Sequence, residues 1–298
     1  MCSRTEWNKV VHTAGHYGAD VYFGITMFAT DQTMDTSDLA REAEARGFHS
    51  LYLPEHTHIP TSRRTAPPTG GDELAEEYKR TLDPLVALSA AAAVTERILL
   101  GTGICVVAQR EPIVTAKAIA TLDRIADGRF VFGIGFGWNA DEIEDHHVTM
   151  PDRRAVAREH VLAMRALWTE ETAEFHGDFV DFSPSWSWPK PVASGGPPVL
   201  IGGSAGPKLF AHVAEYADGW IPIGGAGIRA ALEDLRRACD ERGRDADTLR
   251  IVPFGTVPDP GKLDYYASLG IREIVLRIIG GTRDEVLPVL DEYAALIG

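Results

Sequence analysis

The chain has 298 residues, with 43 Asp and Glu against 29 Lys and Arg and a formal net charge of −14. That balance excludes a nucleic-acid backbone as the main partner, because such binding needs a dense basic face. Three cysteines without a CxxC pair exclude a disulfide framework or a zinc site, and no run of about 18 apolar residues suits a membrane span.

Residues 1–20 are polar and glycine-rich with no clear period, and read as a leader or arm. Nothing there has the charged start and apolar run of a secretion signal, so the expected location is cytoplasmic. From residue 21 onward strand-like and helix-like segments alternate. Val21–Phe28 is β-rich, Ser37 or Asp38 opens a helix ending at Gly47, and Ser50–Pro54 is a second strand. A polar excursion rich in Pro, Gly and charge covers 57–80. An alanine-rich helix over 83–95 and a third strand, Ile98–Val107, follow. Pro112 starts a helix that stops at Asp127-Gly128.

Phe130–Ile134 is the fourth strand, ending in alternating glycines at Gly133, Gly135 and Gly137. Trp138 comes next, then Asn139 three residues before Glu142, the spacing of a capping box. Helix is predicted from Ala140 through Trp168 and a β-hairpin over 174–182, within an insertion near 170–197. Val199–Ile201, Trp220–Ile221, Ile251–Phe254 and Glu273–Arg277 are four more strands, each followed by a helix (207–217, 228–242, 261–269, 283–296). Strands alternating with helices imply a parallel sheet. Eight such units without a domain break predict one domain over 21–298, a closed (β/α)8 TIM barrel, whose chemistry sits at the C-terminal ends of the strands.

Those ends carry the candidates. After strand two, Glu55-His56 places a carboxylate beside an imidazole that titrates near neutral pH, suited to proton or hydride chemistry; a loop-capping histidine is the plainer reading. His56-Thr57-His58 resembles a metal pair, but no later strand ends in a further His. After strand three, Gly101-Thr-Gly103-Ile104-Cys105 presents small residues to a ligand face or simply turns a barrel corner; Cys105 reads as apolar filler. The strand-four glycines, Gly135 and Gly137, suggest close approach of a flat cofactor. After strand five, Gly202-Gly203-Ser204 runs toward a helix start with Lys208 in its first turn, a candidate phosphate turn. Trp138 and Trp220 are candidate aromatics at the same rim, and Trp186 and Trp188 either cover a cleft or pack an insertion. Arg63, Arg64, Lys79 and Arg80 lie in the excursion, as a solvated charged loop or as partners for an acidic cofactor tail.

Taken in order, Leu53-Pro-Glu-His56, Leu100-Gly-Thr-Gly103, Asp127-Gly-Arg-Phe-Val-Phe-Gly-Ile-Gly-Phe-Gly-Trp138, Leu167-Trp168, Ile201-Gly-Gly-Ser204 and Ala217-Asp-Gly-Trp220 resemble the luciferase-like monooxygenase superfamily. The Gly-x-Gly-x-Gly-Trp and Gly-Gly-Ser forms are most similar to its F420-dependent oxidoreductase branch. The resemblance implies a deazaflavin, F420, as cofactor, with reduced FMN and oxygen as the alternative and a non-catalytic carrier as a third. It implies His56 near the reactive carbon, Glu55 contacting the ring, and Gly103-Ile104 as a non-prolyl cis peptide backing it. Gly135, Gly137, Trp138 and Asn139 would line the cofactor pocket, and Gly202, Gly203 and Ser204 would bind phosphate. A small organic substrate and a homodimer are implied too. Two departures stand out. The sugar-phosphate dehydrogenases of the superfamily carry a catalytic glutamate where this chain has Trp138, and a threonine where it has Val106, so their substrate is not transferred.

Overall fold

The computed structural model describes residues 21–66, 73–223 and 227–297; the leader read over 1–20 lies outside them. One parallel path runs through eight strands: β1 (Tyr22–Thr26), β2 (Ser50–Leu53), β3 (Leu99–Thr102), β5 (Phe130–Gly135), β8 (Val199–Gly203), β9 (Gly219–Pro222), β10 (Arg250–Ile251) and β11 (Glu273–Arg277), with β4 (Cys105–Val106) paired to β5. β1 pairs with β11, and a parallel bridge from Thr256 to Leu276 joins the chain beyond β10 to β11. The Val275 N–H donates to Pro253 O and the Thr256 N–H to Val275 O, each at 2.9 Å. The barrel expected from eight strand–helix units is present.

The helices between strands are α1 (Thr36–Ala45), α2 (Pro84–Ala92), α3 (Pro112–Ile125), α4 (Ala140–Asp145), α5 (Arg153–Thr169), α6 (Pro207–Tyr216), α7 (Ile228–Asp240), α8 (Pro260–Ser268) and α9 (Arg283–Ala294). Their starts follow from local chemistry. Asp83 and Glu111 accept the first free N–H groups of α2 and α3, and Pro84 and Pro112 occupy the position that needs no donor. Asp35, rather than Ser37 or Asp38, caps α1. The helix expected from 140 to 168 breaks in two, because His147 takes a left-handed φ of 62° and Pro151 follows. The insertion after α5 is the expected hairpin, β6 (Ala173–His176) with β7 (Asp181–Ser185), and buried Glu159 accepts the N–H groups of its turn at Asp178, Phe179 and Val180. No helix among the described residues is long and apolar enough to cross a membrane.

Strand side chains alternate between two faces. One set packs under the helices in the main core, with Trp168 buried and donating its indole N–H to Ala116 O. The other set fills the barrel: Tyr52, Leu99, Val131, Leu200, Ile221, Val252 and Val275, with Ile104 and Phe254 against them. Below this plug, Glu273 accepts from Ser50 Oγ (2.7 Å), Tyr52 Oη (3.2 Å) and Arg250 Nη2 (2.6 Å). Burial acts to raise the Glu273 pKa, but Arg250, with His49 and Ser50, outweighs it and holds the group below its ordinary 4.5.

Removing that carboxylate strands a charge and two hydroxyls inside the barrel. Glu273→Ala is expected to cost about 3 kcal/mol, read as a lower urea midpoint at pH 7. Because the folded pKa is depressed, this contribution is complete above the ordinary carboxylate range and is lost as pH falls through the folded value. The gap between parent and variant should therefore narrow on acidification.

Candidate active site

Strand three breaks where the resemblance places a bend. β3 ends at Thr102, β4 resumes at Cys105, and the Gly103–Ile104 peptide between them is cis. The break turns the Ile104 side chain across the top of the plug. A Cβ on Gly202 would stand 2.6 Å from Ile104 Cγ2, and one on Gly135 would collide with Ile104 Cδ1. On Gly133 it would meet the backbone oxygen of Thr102, and on Gly137 (φ 73°) Ile143 and Val106. The glycine run is thus explained by the chain's own packing. Gly133 makes room for β3, Gly135 and Gly202 for Ile104, and Gly137 for α4 and β4, and Ile104 with Phe254 forms an apolar floor on the plug.

Glu55 holds this break in place. It is 3% exposed, and its Oε2 accepts from Val106 N (2.6 Å) while Oε1 accepts from Arg110 Nε (2.6 Å). Both oxygens are engaged, and the carboxylate anchors β4 to the end of β2. Cys105 beside it is fully buried; burial, reinforced by Glu55, pushes its thiol well above the usual range. It is filler rather than nucleophile.

His56 points elsewhere. Its Nδ1 lies 2.9 Å from Glu142 Oε2 and 3.1 Å from Oε1, and the two side chains are 8% and 2% exposed. The His56 carbonyl accepts from Thr81 Oγ1 (2.9 Å), which fixes the backbone under the ring. A carboxylate against Nδ1 favours a proton on that nitrogen and leaves Nε2 without a protein partner among the described residues. The capping box expected of Asn139 and Glu142 does not form. Asn139 does occupy the position before α4, but its side chain makes no cap bond. Helical spacing explains the difference: Asn139, Glu142 and His146 fall on one face of α4, and Glu142 and His146 meet His56 and Thr57 on the loop after β2 (His146 Nε2 to Thr57 Oγ1, 2.8 Å). The i, i+3 signal is in the sequence; its partner, 86 residues away, is not marked there.

Aromatic rings enclose the dyad. Tyr78 lies 5.2 Å and Trp138 6.0 Å from the His56 ring, centre to centre, and Phe28 is 4.9 Å from Tyr78. Trp138 is at the rim as expected; Trp220 is not, being 2% exposed behind the wall against Phe210 with its indole donating to Gly203 O. The excursion's cations are mostly spoken for. Arg64 pairs with Asp141 and Glu144, Lys79 with Glu76, and Arg80 with Asp31 and Glu76. The His56-x-His58 pair contributes to no metal-holding cluster among the described residues; His58 Nε2 instead meets Asp145 at 3.0 Å.

On the opposite side, the chain after β8 passes through Gly203 (φ 152°), exposed Ser204 and Gly206 into α6, whose start carries no side-chain cap. A Cβ placed on Gly206 would meet nothing within 4 Å, so the turn is open. Two buried carboxamides add polar atoms lacking a partner: both amide atoms of Asn139, and both of Gln109 in the turn after β4, which sequence reading did not single out. An apolar floor, an open turn before a helix, a buried unpartnered amide and an oriented His–Glu dyad fit a flavin-type ring with a phosphate.

A parallel barrel with this constellation at the C-terminal ends of its strands defines an oxidoreductase of the ring-cofactor kind. The luciferase-like monooxygenase profile matches residues 11–258, and the chain belongs to that family, whose members are oxidoreductases and monooxygenases using F420 or FMN. An uncharacterised protein of Mycobacterium tuberculosis is 42% identical over 278 residues, covering 92% of this chain and 98% of that one. An F420-dependent glucose-6-phosphate dehydrogenase of Intrasporangium calvum is 30% identical, covering 74% of this chain and 64% of that protein. The fold is similar to that of a monooxygenase from Streptomyces bottropensis, with a TM-score of 0.75 at 22% identity over 93% of this chain and 98% of that one.

The dyad makes a spectroscopic prediction. Imidazole 15N spectra of the parent should show His56 with Nδ1 protonated, and Glu142→Ala should shift the neutral ring toward the Nε2-protonated tautomer. An unchanged spectrum would remove Glu142 from any orienting role.

Proposed function

We propose that this protein is an F420-dependent oxidoreductase that moves hydride between the deazaflavin and a small organic substrate. The observation that carries the reading is His56 Nδ1 seated against the buried carboxylate of Glu142, in the mouth of a luciferase-like barrel. When bound, the deazaflavin supplies two-electron hydride chemistry. Ile104 and Phe254 would support the ring. Asn139 would offer a donor and an acceptor to its polar edge, and Gly202-Gly203-Ser204, with the start of α6, would take the phosphate. His56 gives or takes a proton at Nε2, with Glu142 stabilising the imidazolium in between. Glu55 holds β4 and the floor in position. The relative named as an F420-dependent dehydrogenase supports the cofactor assignment.

Reduced FMN with oxygen is the second reading, favoured by the family's monooxygenase description and by a phosphate turn that serves either cofactor. Titration decides between them: tight F420 binding with negligible FMN binding is expected, and oxygen uptake with reduced FMN would reverse the assignment. His56→Ala should lower turnover about a hundredfold while cofactor affinity holds; equal activity would remove its catalytic role. Ser204→Asp should weaken cofactor binding roughly tenfold by repelling the phosphate, and unchanged affinity would move the anion site elsewhere. The homodimer implied by the family belongs to the same proposal and is read by sedimentation equilibrium.

A further inference from the structure

The mouth of the barrel has two chemically different sides. Toward α6, exposed Ser204 and Lys208 face an uncapped helix start, and Lys208 makes no ion pair among the described residues. Toward β1, β5 and β11 the surface is apolar. Phe28, Tyr78 and Trp138 form a continuous half-buried aromatic wall beside His56. Ile279, just past β11, is 78% exposed. Large apolar side chains left open to water at a strand-end mouth mark a binding surface rather than packing.

Charge on this side opposes an anion. Arg64, Lys79 and Arg80 are held in ion pairs, and Arg277, at the end of β11, meets Glu77 (3.4 Å). Glu76, Glu77, Asp141 and Glu144 thus already answer the cations that a phosphate or carboxylate would need. Tyr78 adds no charge, since burial keeps its phenol above the ordinary range. Arg63 is the remaining guanidinium of the excursion, and its Nε is buried without a partner.

We infer that the substrate is an uncharged molecule with an apolar body, seated against Phe28, Tyr78 and Trp138 with its polar reacting end toward His56, and that phosphorylated sugars are not substrates. This rests on the barrel mouth being the active site, and it names the substrate class that the site takes. An apolar ring or chain gains by leaving water against these aromatic faces. A sugar phosphate would bring a dianion to an aromatic wall edged by carboxylates, with one guanidinium to offset it.

Calorimetric titration of the full chain with cyclohexanol and with glucose 6-phosphate tests the inference. Cyclohexanol is expected to bind saturably and glucose 6-phosphate not at all, with Tyr78→Ala and Trp138→Ala each weakening cyclohexanol about fivefold to tenfold. Arg63→Ala should leave cyclohexanol binding unchanged. Tighter binding of glucose 6-phosphate, lost in Arg63→Ala, would overturn the inference, as would absence of cyclohexanol binding to the unaltered chain. The two-ligand comparison on that chain stands even where an aromatic variant fails to fold. F420 and FMN are titrated into the same preparation. If neither binds, the cofactor reading fails, while the cyclohexanol and glucose 6-phosphate arms still decide the chemistry of the wall.

Discussion

The insertion of Ile104 across the top of the barrel is the constraint on which the rest of the site depends. It requires strand three to break between Thr102 and Cys105, and it requires Gly135 and Gly202 on neighbouring strands, where any Cβ would meet the isoleucine. It also requires an anchor to restart the strand, and Glu55 supplies one through the Val106 N–H and Arg110. A buried carboxylate needs its oxygens satisfied. Here that need and the restart of the strand are met by the same hydrogen bonds. The outcome is an apolar floor over a plugged barrel.

Above that floor, two carboxylates that look alike in sequence are placed differently. Glu55 adjoins His56 in the chain but is bound to β4 and Arg110, and its task is to position. Glu142 is remote in sequence, yet its carboxylate reaches the imidazole, so it can hold the tautomer and answer charge on the ring. Neighbours on an extended strand end point to opposite sides. An i, i+3 pair on a helix shares a face, and α4 brings that face to the loop after β2.

The fold was legible because it rests on local signals repeated eight times. Apolar strand runs, N-terminal prolines at Pro84 and Pro112, and glycine stops such as Gly47 each mark an element on their own. Local signals misled where the chain had two uses for one pattern. Asn139 and Glu142 have capping-box spacing, but the carboxylate finds a better partner in His56, and the amide is left buried without one. The excursion's Arg and Lys could be read either as a solvated charged loop or as partners for an acidic tail, because several of the acids that pair with them, Asp31, Asp141 and Glu144, lie on other elements.

By itself, then, the sequence determined the barrel and, through family resemblance, the cis bend at Gly103–Ile104. Tertiary structure alone decided which carboxylate serves His56, what occupies the space above the glycines, and which cations of the mouth are already neutralised. The physical reason is range. Propensity, capping and alternation act within a few residues and can be read along the chain. Hydrogen bonds, side-chain insertion and charge pairing are settled by distance in space, between residues that only the closed barrel brings together.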